Sequence, residues 1–513
     1  MAILTRREFI KSGAVWVAVA SIPTVLRVDP AKAFAGPTDG GDLADYLKLF
    51  EVDEAMIQRV IAAALERGGD YCDLYFEHRV SNWVGLQDEA VNRAYCNIDY
   101  GVGIRVVEGD QTGYSFTEEL SPEAMMNAAR TASNIANQSS QPGPTEFRFH
   151  RAPDYYPVER AWESVNIDEK IPLVQEVNAK LHDKDDRITK TRVWYGDWTS
   201  RVLIANSDGQ LTYDYRPMAE LQVSCSAEQG SQREEGWYSL AARRGPEHFS
   251  RENLEEVASQ AVRRTVVLFE AVKPEAGEME VVLAAGFSGI LLHEAIGHGM
   301  EADFNRKNES IFSDKIGKSI AEPMVSIVDD GTWPSARGAL NVDDEGTDTE
   351  KTFLVRDGIL RSYMHDWISS KHYGVPSTGN GRRESFRHNP IPRMRCTYML
   401  PGPHTKDEVI GSVKKGVYCE SFTNGEVHIG PGDFTFYVKN GNLIEDGKLT
   451  RPIKDINIIG NGPEVLRRMV MVADDLEMSV GSGMCGKGGQ SVPVSMGLPT
   501  TKVSSITVGG VNS

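Results

Sequence analysis

The chain has 513 residues, a formal net charge of −18, 40% hydrophobic residues and 25% charged residues. This length exceeds what a single hydrophobic core usually serves, so two or three domains are expected. The composition is that of soluble, folded proteins. A surface this acidic argues against nucleic acid and anionic membranes as partners, because both bind basic surfaces.

The N-terminus has the three parts of an export signal. Arg6-Arg7 precede an apolar stretch from about residue 12 to residue 26, and Ala33-Phe34-Ala35 forms an A-x-A cleavage site. The paired arginines resemble a twin-arginine signal, which exports folded proteins. The apolar stretch contains Pro23 and is shorter than the roughly 20 residues that span a bilayer. We therefore expect residues 1–35 to be cleaved and the mature protein to be periplasmic or otherwise exported, with no transmembrane span. An uncleaved membrane anchor is the alternative.

Three domains are predicted after the signal. Residues 36–144 form an N-terminal α+β module, in which Ser121 before a proline predicts the start of a helix. Residues 145–272 form a middle α+β module. Residues 273–513 form a C-terminal domain rich in short β-like runs. The predicted fold class is α+β, with mixed α/β modules followed by a mainly antiparallel β domain that carries the metal site.

Hairpin signals are concentrated in the C-terminal domain. Asn-Gly and Asp-Gly between apolar runs are the strongest local signals for a tight turn. Four of the pairs in this domain separate short β-like runs: Asp357-Gly358, Asn424-Gly425, Asn440-Gly441 and Asp446-Gly447. They predict antiparallel hairpins at these positions.

Six cysteines are dispersed along the chain with no CxxC pair. This spacing indicates no disulfide framework, and burial as small hydrophobic residues is favoured over a bridge. The disulfide state of five of them stays open from the sequence: Cys72, Cys96, Cys225, Cys396 and Cys419.

The most informative stretch is His293-Glu294-Ala295-Ile296-Gly297-His298, which follows a β-run and a Gly-Ser turn. Ser288 is predicted to cap the helix. Histidine and glutamate on one helix indicate zinc chemistry, but here the histidines are five residues apart. On a regular helix that spacing separates the rings by about 140°. Either a π-type widening or a break at Gly297 is therefore needed to bring His298 beside His293.

The stretch HEAIGHGMEADFNR resembles the H-E-x-x-x-H signature of the TldD/PmbA family of metallopeptidases, in particular its active TldD-type subunit. Further blocks, DYGVGIRVVEGDQTGYSF, GNGRRESFRHNPIPRMRCTYMLPG and GMCGKGGQSVPVSMGLPTTKVSSITVGG, extend the resemblance over most of the chain. The resemblance implies that His293, His298 and Cys485 hold Zn²⁺ and that Glu294 is the catalytic base.

The implied activity is hydrolysis of peptide bonds in short or unfolded peptides, with water activated by Glu294 attacking a zinc-polarised carbonyl. Three protein ligands leave the open position of a catalytic zinc site. Cys485 lies among five glycines, and this flexible backbone is expected to bring the thiolate to the distant histidines. Substrate-binding residues are not assigned.

The resemblance also implies a closed dimer, either a homodimer or a heterodimer with a PmbA-like subunit. One alternative function is a metal-stabilised binding or assembly subunit without turnover, which would have no use for a base at Glu294. Another is an iron-dependent oxygenase, which the Cys485 thiolate disfavours because such iron sites use two histidines and a carboxylate.

Two polar clusters have open interpretations. Glu301 and Asp303 are either partners of the metal-binding histidines or part of a solvated acidic turn, which we favour. Four arginines are either a recognition site for peptide carboxylates or an ordinary surface loop. These are Arg382, Arg383, Arg387 and Arg393.

Overall fold

The computed structural model describes residues 41–509, so the predicted signal peptide lies outside the described residues. Among residues 41–509, no helix combines the length and the apolarity that a membrane crossing requires. The α-helices are Leu43–Leu49, Glu54–Ala64, Pro122–Ser133, Ile167–Lys184, Arg251–Val266, Ile290–Leu292, Ala302–Arg306, Trp367–Tyr373, Lys406–Gly411 and Gly462–Arg467. Ser121 caps the third of these by accepting a hydrogen bond from the Ala124 amide, as predicted.

The strands are numbered in chain order. The N-terminal half contains β1 (Tyr71–Gln87), β2 (Ala90–Glu108), β3 (Gln111–Thr117), β4 (Arg148–Phe149), β5 (Ile188–Asn206), β6 (Gln210–Gln229) and β7 (Gln232–Ala242). The next group is β8 (Gly277–Leu283), β9 (Ile327–Asp330), β10 (Lys351–Arg356), β11 (Ile359–Leu360), β12 (Gly381–Arg382), β13 (Ile391–Pro392) and β14 (Cys396–Met399). The last group is β15 (Lys415–His428), β16 (Asp433–Glu445), β17 (Lys448–Ile453), β18 (Ile456–Asn461), β19 (Met469–Val472), β20 (Glu477–Met478), β21 (Met484–Lys487), β22 (Gln490–Pro493), β23 (Ser495–Leu498) and β24 (Thr501–Gly509).

One seven-stranded sheet runs through the N-terminal half. Its order is β3-β2-β1-β5-β6-β4, and β7 pairs with β6. Strands from both sides of the predicted boundary at residue 144 therefore share this sheet, while the division into modules stays a prediction. Two groups of helices cover one face of the sheet, at opposite ends, and each group has its own apolar core. The first three helices form one group, and Ile167–Lys184 with Arg251–Val266 forms the other.

The other face of this sheet is covered at one end only. There the C-terminal domain packs on it through buried ion pairs, with Arg383 contacting Asp73 at 3.1 Å and Arg105 contacting Glu345 at 2.7 Å. Phe386 packs with Tyr75 in the same contact. The far end of this face, around Trp83, is left half-exposed.

The C-terminal region is mainly β, as predicted. Strands β15, β8, β24, β18 and β16 pair in sequence, and β16 pairs back onto β15, so they close a barrel. A second sheet has the order β11-β10-β9-β14-β23-β20. Pairing is antiparallel except for β8 with β15 and β14 with β23. The largest apolar core of the described residues lies between these sheets and includes Leu291, Ile296 and Cys485.

Two of the four predicted hairpins are confirmed. Asp357-Gly358 joins β10 to β11 and Asp446-Gly447 joins β16 to β17, all with positive φ. The other two are wrong, because Asn424-Gly425 lies inside β15 and Asn440-Gly441 inside β16. A side chain at Gly425 would overlap the Phe436 ring, and one at Gly441 would overlap the Tyr418 carbonyl. These glycines allow close packing within strands rather than a turn.

Candidate metal centre

Strand β8 leads directly into the segment that carries the histidines. Gly286 turns the chain with a φ of 88°, and a 3₁₀ turn at Phe287–Gly289 precedes the single helical turn Ile290–Leu292. The predicted cap at Ser288 is wrong. Its hydroxyl instead donates a hydrogen bond of 3.4 Å to the Cys419 carbonyl, which ties the turn to β15.

A π-helical turn brings the two histidines together. His293–Gly297 is a π-helix, in which the His298 amide donates to the His293 carbonyl five residues earlier. The ring centroids of His293 and His298 lie 5.1 Å apart at an interplanar angle of 82°. Of the two predicted possibilities, the widened helix is therefore the one found, and the chain does not break at Gly297. A side chain at Gly297 would overlap the Met394 sulfur.

Cys485 reaches the same place from a β-hairpin. It lies on β21, paired with Val492 of β22, and Gly488-Gly489 form the tight turn with φ values of 59° and 75°. The expected flexible glycine segment is thus wrong at this position, because an ordered strand presents the thiol. The ligand atoms of His293, His298 and Cys485 all lie within 4.8 Å of one another.

The three side chains fit a metal ion. His293 is 1% exposed, and neither of its ring nitrogens has a hydrogen-bond partner among the described residues. A buried imidazole without partners is costly unless something binds it. The Nε2 atom of His298 faces the Cys485 Sγ at 3.5 Å. Two imidazoles and a thiolate are a donor set that suits zinc.

Glu301 orients His298. Its Oε2 contacts the Nδ1 atom of His298 at 2.9 Å, which leaves Nε2 directed to the donor cluster. Glu301 is fully buried, so the solvated acidic turn that we favoured is wrong for this residue. Lys487 contacts the same Oε2 at 3.1 Å and Asp303 at 2.7 Å. Lys487 is two residues after Cys485 on β21, so this ion pair links the strand of one donor to the orienting group of another.

The local charges favour the thiolate form of Cys485. Burial raises the pKa of this thiol, but the adjacent His293 and His298 rings outweigh burial and hold the pKa well below its usual value. Burial raises the pKa of Glu301 as well, yet Lys487 and His298 lower it to about 2. The surroundings therefore favour the charged forms of the Cys485 thiol and the Glu301 carboxyl, although both groups are buried.

Glu294 lies at the rim of the centre. Its side chain is 21% exposed, and its Oε2 is 3.9 Å from the Nε2 of His298. It is thus close to the donor atoms and open to solvent, a position suited to proton transfer with water.

The four arginines form neither a recognition site nor a surface loop. Arg393 is buried and donates to the Cys485 carbonyl, and Arg382 donates to the Met394 and Pro493 carbonyls. Arg383 contacts Asp73 as described above. The half-exposed Arg387 forms ion pairs of 2.7 Å with Asp99 and with Glu118. These side chains hold the hairpin and join the C-terminal domain to the N-terminal sheet.

All six cysteines are free thiols in the described structure. Five are buried, and Cys96 is partly exposed. Burial raises the pKa of Cys419 to about 12, which is typical of an inert core thiol and contrasts with Cys485.

Gly462 leaves room for the π turn. A side chain at this position would overlap the carbonyl oxygen of Ala295, within the turn. Gly462→Ala is therefore expected to displace the histidines, lower metal affinity and reduce the free energy of unfolding by about 1–3 kcal/mol. Chelator competition and thermal unfolding measure both effects. Gly411→Ala is the matched control, because a side chain at Gly411 meets no atom within 4 Å. Equal metal affinity and equal thermal stability of the two variants would contradict a close contact between Gly462 and the π turn.

Family models match three consecutive parts of the chain. Residues 72–136 match PmbA/TldA metallopeptidase domain 1, residues 160–269 the central domain, and residues 276–510 the C-terminal domain. These matches cover most of the chain, and they place it in a class of metallopeptidases.

The relatives agree with this class. The chain is 41% identical over 454 residues to a "Metalloprotease TldD homolog" of Haemophilus influenzae, covering 87% of this chain and 94% of the relative. It is 28% identical over 458 residues to a "Zinc metalloprotease TldD homolog" of Saccharolobus solfataricus, covering 88% and 99%. The crystal structure of TldE from Thermococcus kodakarensis shares the fold, with a TM-score of 0.71, 18% identity and coverage of 89% and 100%. The chain belongs to the PmbA/TldD metallopeptidase family.

Proposed function

We propose that this chain is an active zinc metallopeptidase in which His293, His298 and Cys485 hold the metal and Glu294 is the base. The observation that carries the proposal is the meeting of three buried donor atoms within 4.8 Å of one another beside a partly exposed glutamate. A purely structural zinc site is usually closed by four protein ligands. Here three protein donors would leave a fourth position for water, and a carboxylate lies at the rim, so a catalytic site is favoured over a structural one.

Each residue of the site has a separate role in the proposed reaction. When bound, zinc supplies Lewis acidity that polarises a carbonyl and acidifies water. Glu294 accepts a proton from the attacking water on a carboxylate oxygen and passes it to the nitrogen of the leaving amine. Glu301 holds the proton on Nδ1 of His298, so that Nε2 keeps its lone pair for the metal. Lys487 neutralises Glu301.

The proposed substrates are short or unfolded peptides, cut within a dimer. The family resemblance implies a heterodimer with a PmbA-like subunit, and a homodimer is the alternative. We also propose that the paired arginines direct export by the twin-arginine route, so that the mature protein acts in the periplasm. The competing function is a metal-stabilised subunit without turnover.

The test combines elemental analysis with hydrolysis of an unstructured peptide. The wild-type protein is expected to hold about one zinc per chain and to lose both zinc and hydrolysis on treatment with a chelator. Cys485→Ala is expected to lower zinc affinity at least about tenfold, whereas Cys419→Ala, which also removes a buried thiol, keeps zinc. A protein that holds zinc but cuts no peptide would support the subunit without turnover.

A further inference from the structure

Aromatic side chains are concentrated on the half-exposed end of the N-terminal sheet. Directly opposite residues on neighbouring strands point to the same face. Tyr95 lies opposite Trp83, and Trp83 lies opposite Gly196. In the next row, Gly85 lies opposite Trp194. We call this surface the tryptophan face. It is formed by Trp83, Tyr95 and Trp194 together with Trp198, which is only 7% exposed.

Glycines let two of the indoles lie flat on the sheet. A side chain at Gly196 would come within 2.5 Å of the Trp83 ring, and one at Gly85 within 3.2 Å of the Trp194 ring. Glycine inside a strand costs about 0.5–1 kcal/mol relative to alanine, so two such positions are unfavourable for the strands themselves. In return, the two glycines allow the ring faces of Trp83 and Trp194 to point away from the sheet.

The face also carries positive charge. Burial raises the pKa of Glu77, and the nearby Arg79 opposes this rise. Arg79 lies 4.9 Å over the Trp198 ring, and Arg93 lies 5.7 Å over the Trp194 ring. Within residues 41–509, neither guanidinium has a carboxylate within ion-pair distance, whereas Glu220 on the same face is neutralised by Arg337 at 2.7 Å. In a chain with a net charge of −18, this surface favours ligands with negative groups.

The buried Arg337 links the tryptophan face to the segment that precedes Cys485. Arg337 lies 5.4 Å over the Trp198 ring and donates a hydrogen bond of 3.0 Å to the Gly483 carbonyl. Gly483 is two residues before Cys485. Adjacent strands are about 4.8 Å apart, and an extended peptide advances about 3.3 Å per residue. A peptide at the metal centre therefore reaches Tyr95 within about ten residues.

We propose that the tryptophan face is an exosite that binds the flanking segment of the peptide substrate, as an extended chain with aromatic and acidic side chains. Aromatic side chains of the peptide stack on Trp83 and Tyr95, over which no cation of residues 41–509 lies. Carboxylates of the peptide pair with Arg79 and Arg93. This proposal rests on the proposed function, because the flanking segment belongs to the chain that is cut.

The test measures binding without cleavage. A fluorescent peptide of about 16 residues, rich in glutamate and tyrosine, is titrated by anisotropy into Glu294→Gln protein. Adding Arg93→Glu and Tyr95→Ala is expected to weaken binding about tenfold. The matched control adds Arg148→Glu and Phe149→Ala, an exposed arginine and an aromatic of similar exposure on β4 of the same sheet, and binding stays within about twofold. Tyr95 is 47% exposed and Phe149 is 45% exposed, so neither change creates a large cavity.

A second measurement separates this exosite from the catalytic proposal. With Glu294 intact, Arg93→Glu/Tyr95→Ala is expected to raise KM for the long peptide and to leave KM for a five-residue peptide unchanged. If the wild-type protein binds the long peptide but does not cut it, the proposed function is wrong and the exosite proposal still stands. Equal binding by the two double variants would overturn the exosite. A loss of dimer mass in sedimentation on Arg93→Glu/Tyr95→Ala would also overturn it, because the face would then be a subunit contact.

Discussion

Replacing Glu294 with glutamine is expected to lower kcat for peptide hydrolysis by about 10²–10⁴-fold and to leave the zinc content unchanged. The amide keeps the size of the side chain but accepts no proton from water. Zinc stays because Glu294 is at the rim and is not one of the three clustered donors. Steady-state kinetics and elemental analysis of the same preparation check both parts.

Glu309→Gln is the control for this variant. Glu309 is an exposed glutamate on the segment that follows the metal centre, so the same chemical change there is expected to leave kcat unchanged. If Glu294→Gln protein cuts as fast as wild type, the site is not a peptidase site, and the metal-stabilised subunit without turnover takes its place.

Replacing Lys487 with methionine is expected to reduce the free energy of unfolding by about 3–5 kcal/mol. The change keeps the apolar stem and removes the ammonium that contacts Glu301 and Asp303. The side chain of Glu301 is 0% exposed and that of Asp303 is 15% exposed, so both carboxylates lose their cation in a poorly solvated place. Urea unfolding monitored by circular dichroism measures the loss.

Lys415→Met is the matched control, because Lys415 and its partner Glu275 are 80% and 77% exposed. Exposed ion pairs contribute about 0–1 kcal/mol, so a small change is expected. Adding Asp303→Asn to Lys487→Met is expected to recover part of the stability by removing one uncompensated charge. If the single variant is as stable as wild type, the carboxylates are not held as buried anions.

The local chemistry of the centre could be predicted from the sequence, but its surroundings could not. Histidine and glutamate next to a glycine indicate a metal-binding turn, and the spacing of five limited the backbone to two possibilities. The choice of the π turn depends on Gly462 and Met394, which pack against it from distant positions. The sequence raised the role of Glu301 as one of two alternatives but favoured a solvated turn, because the burial of Glu301 depends on Lys487, more than 180 residues away. One signal for this contact was present in the sequence. Side chains two residues apart on a strand point to the same side, so Lys487 lies on the same side of its strand as Cys485.

The hairpin signals show a second limit of sequence interpretation. Asp-Gly at residues 357–358 and 446–447 forms turns, whereas Asn-Gly at residues 424–425 and 440–441 continues a strand. The difference lies in the partner strand, because Phe436 and the Tyr418 backbone occupy the space that a side chain would need. The dipeptide alone does not distinguish a glycine needed for a turn from a glycine needed for close packing within a strand, because that difference is set by tertiary contacts.

Closure of the barrel has a consequence for the order of folding. Strand β24 lies between β8 and β18, and β8 leads into the histidine turn, so the barrel closes only when strands more than 200 residues apart have paired. Cys485 also follows the histidines by almost 200 residues, and contacts of such long range form late in folding. The three donor side chains therefore come together late in folding. The compartment in which folding finishes then decides which ions compete for the centre.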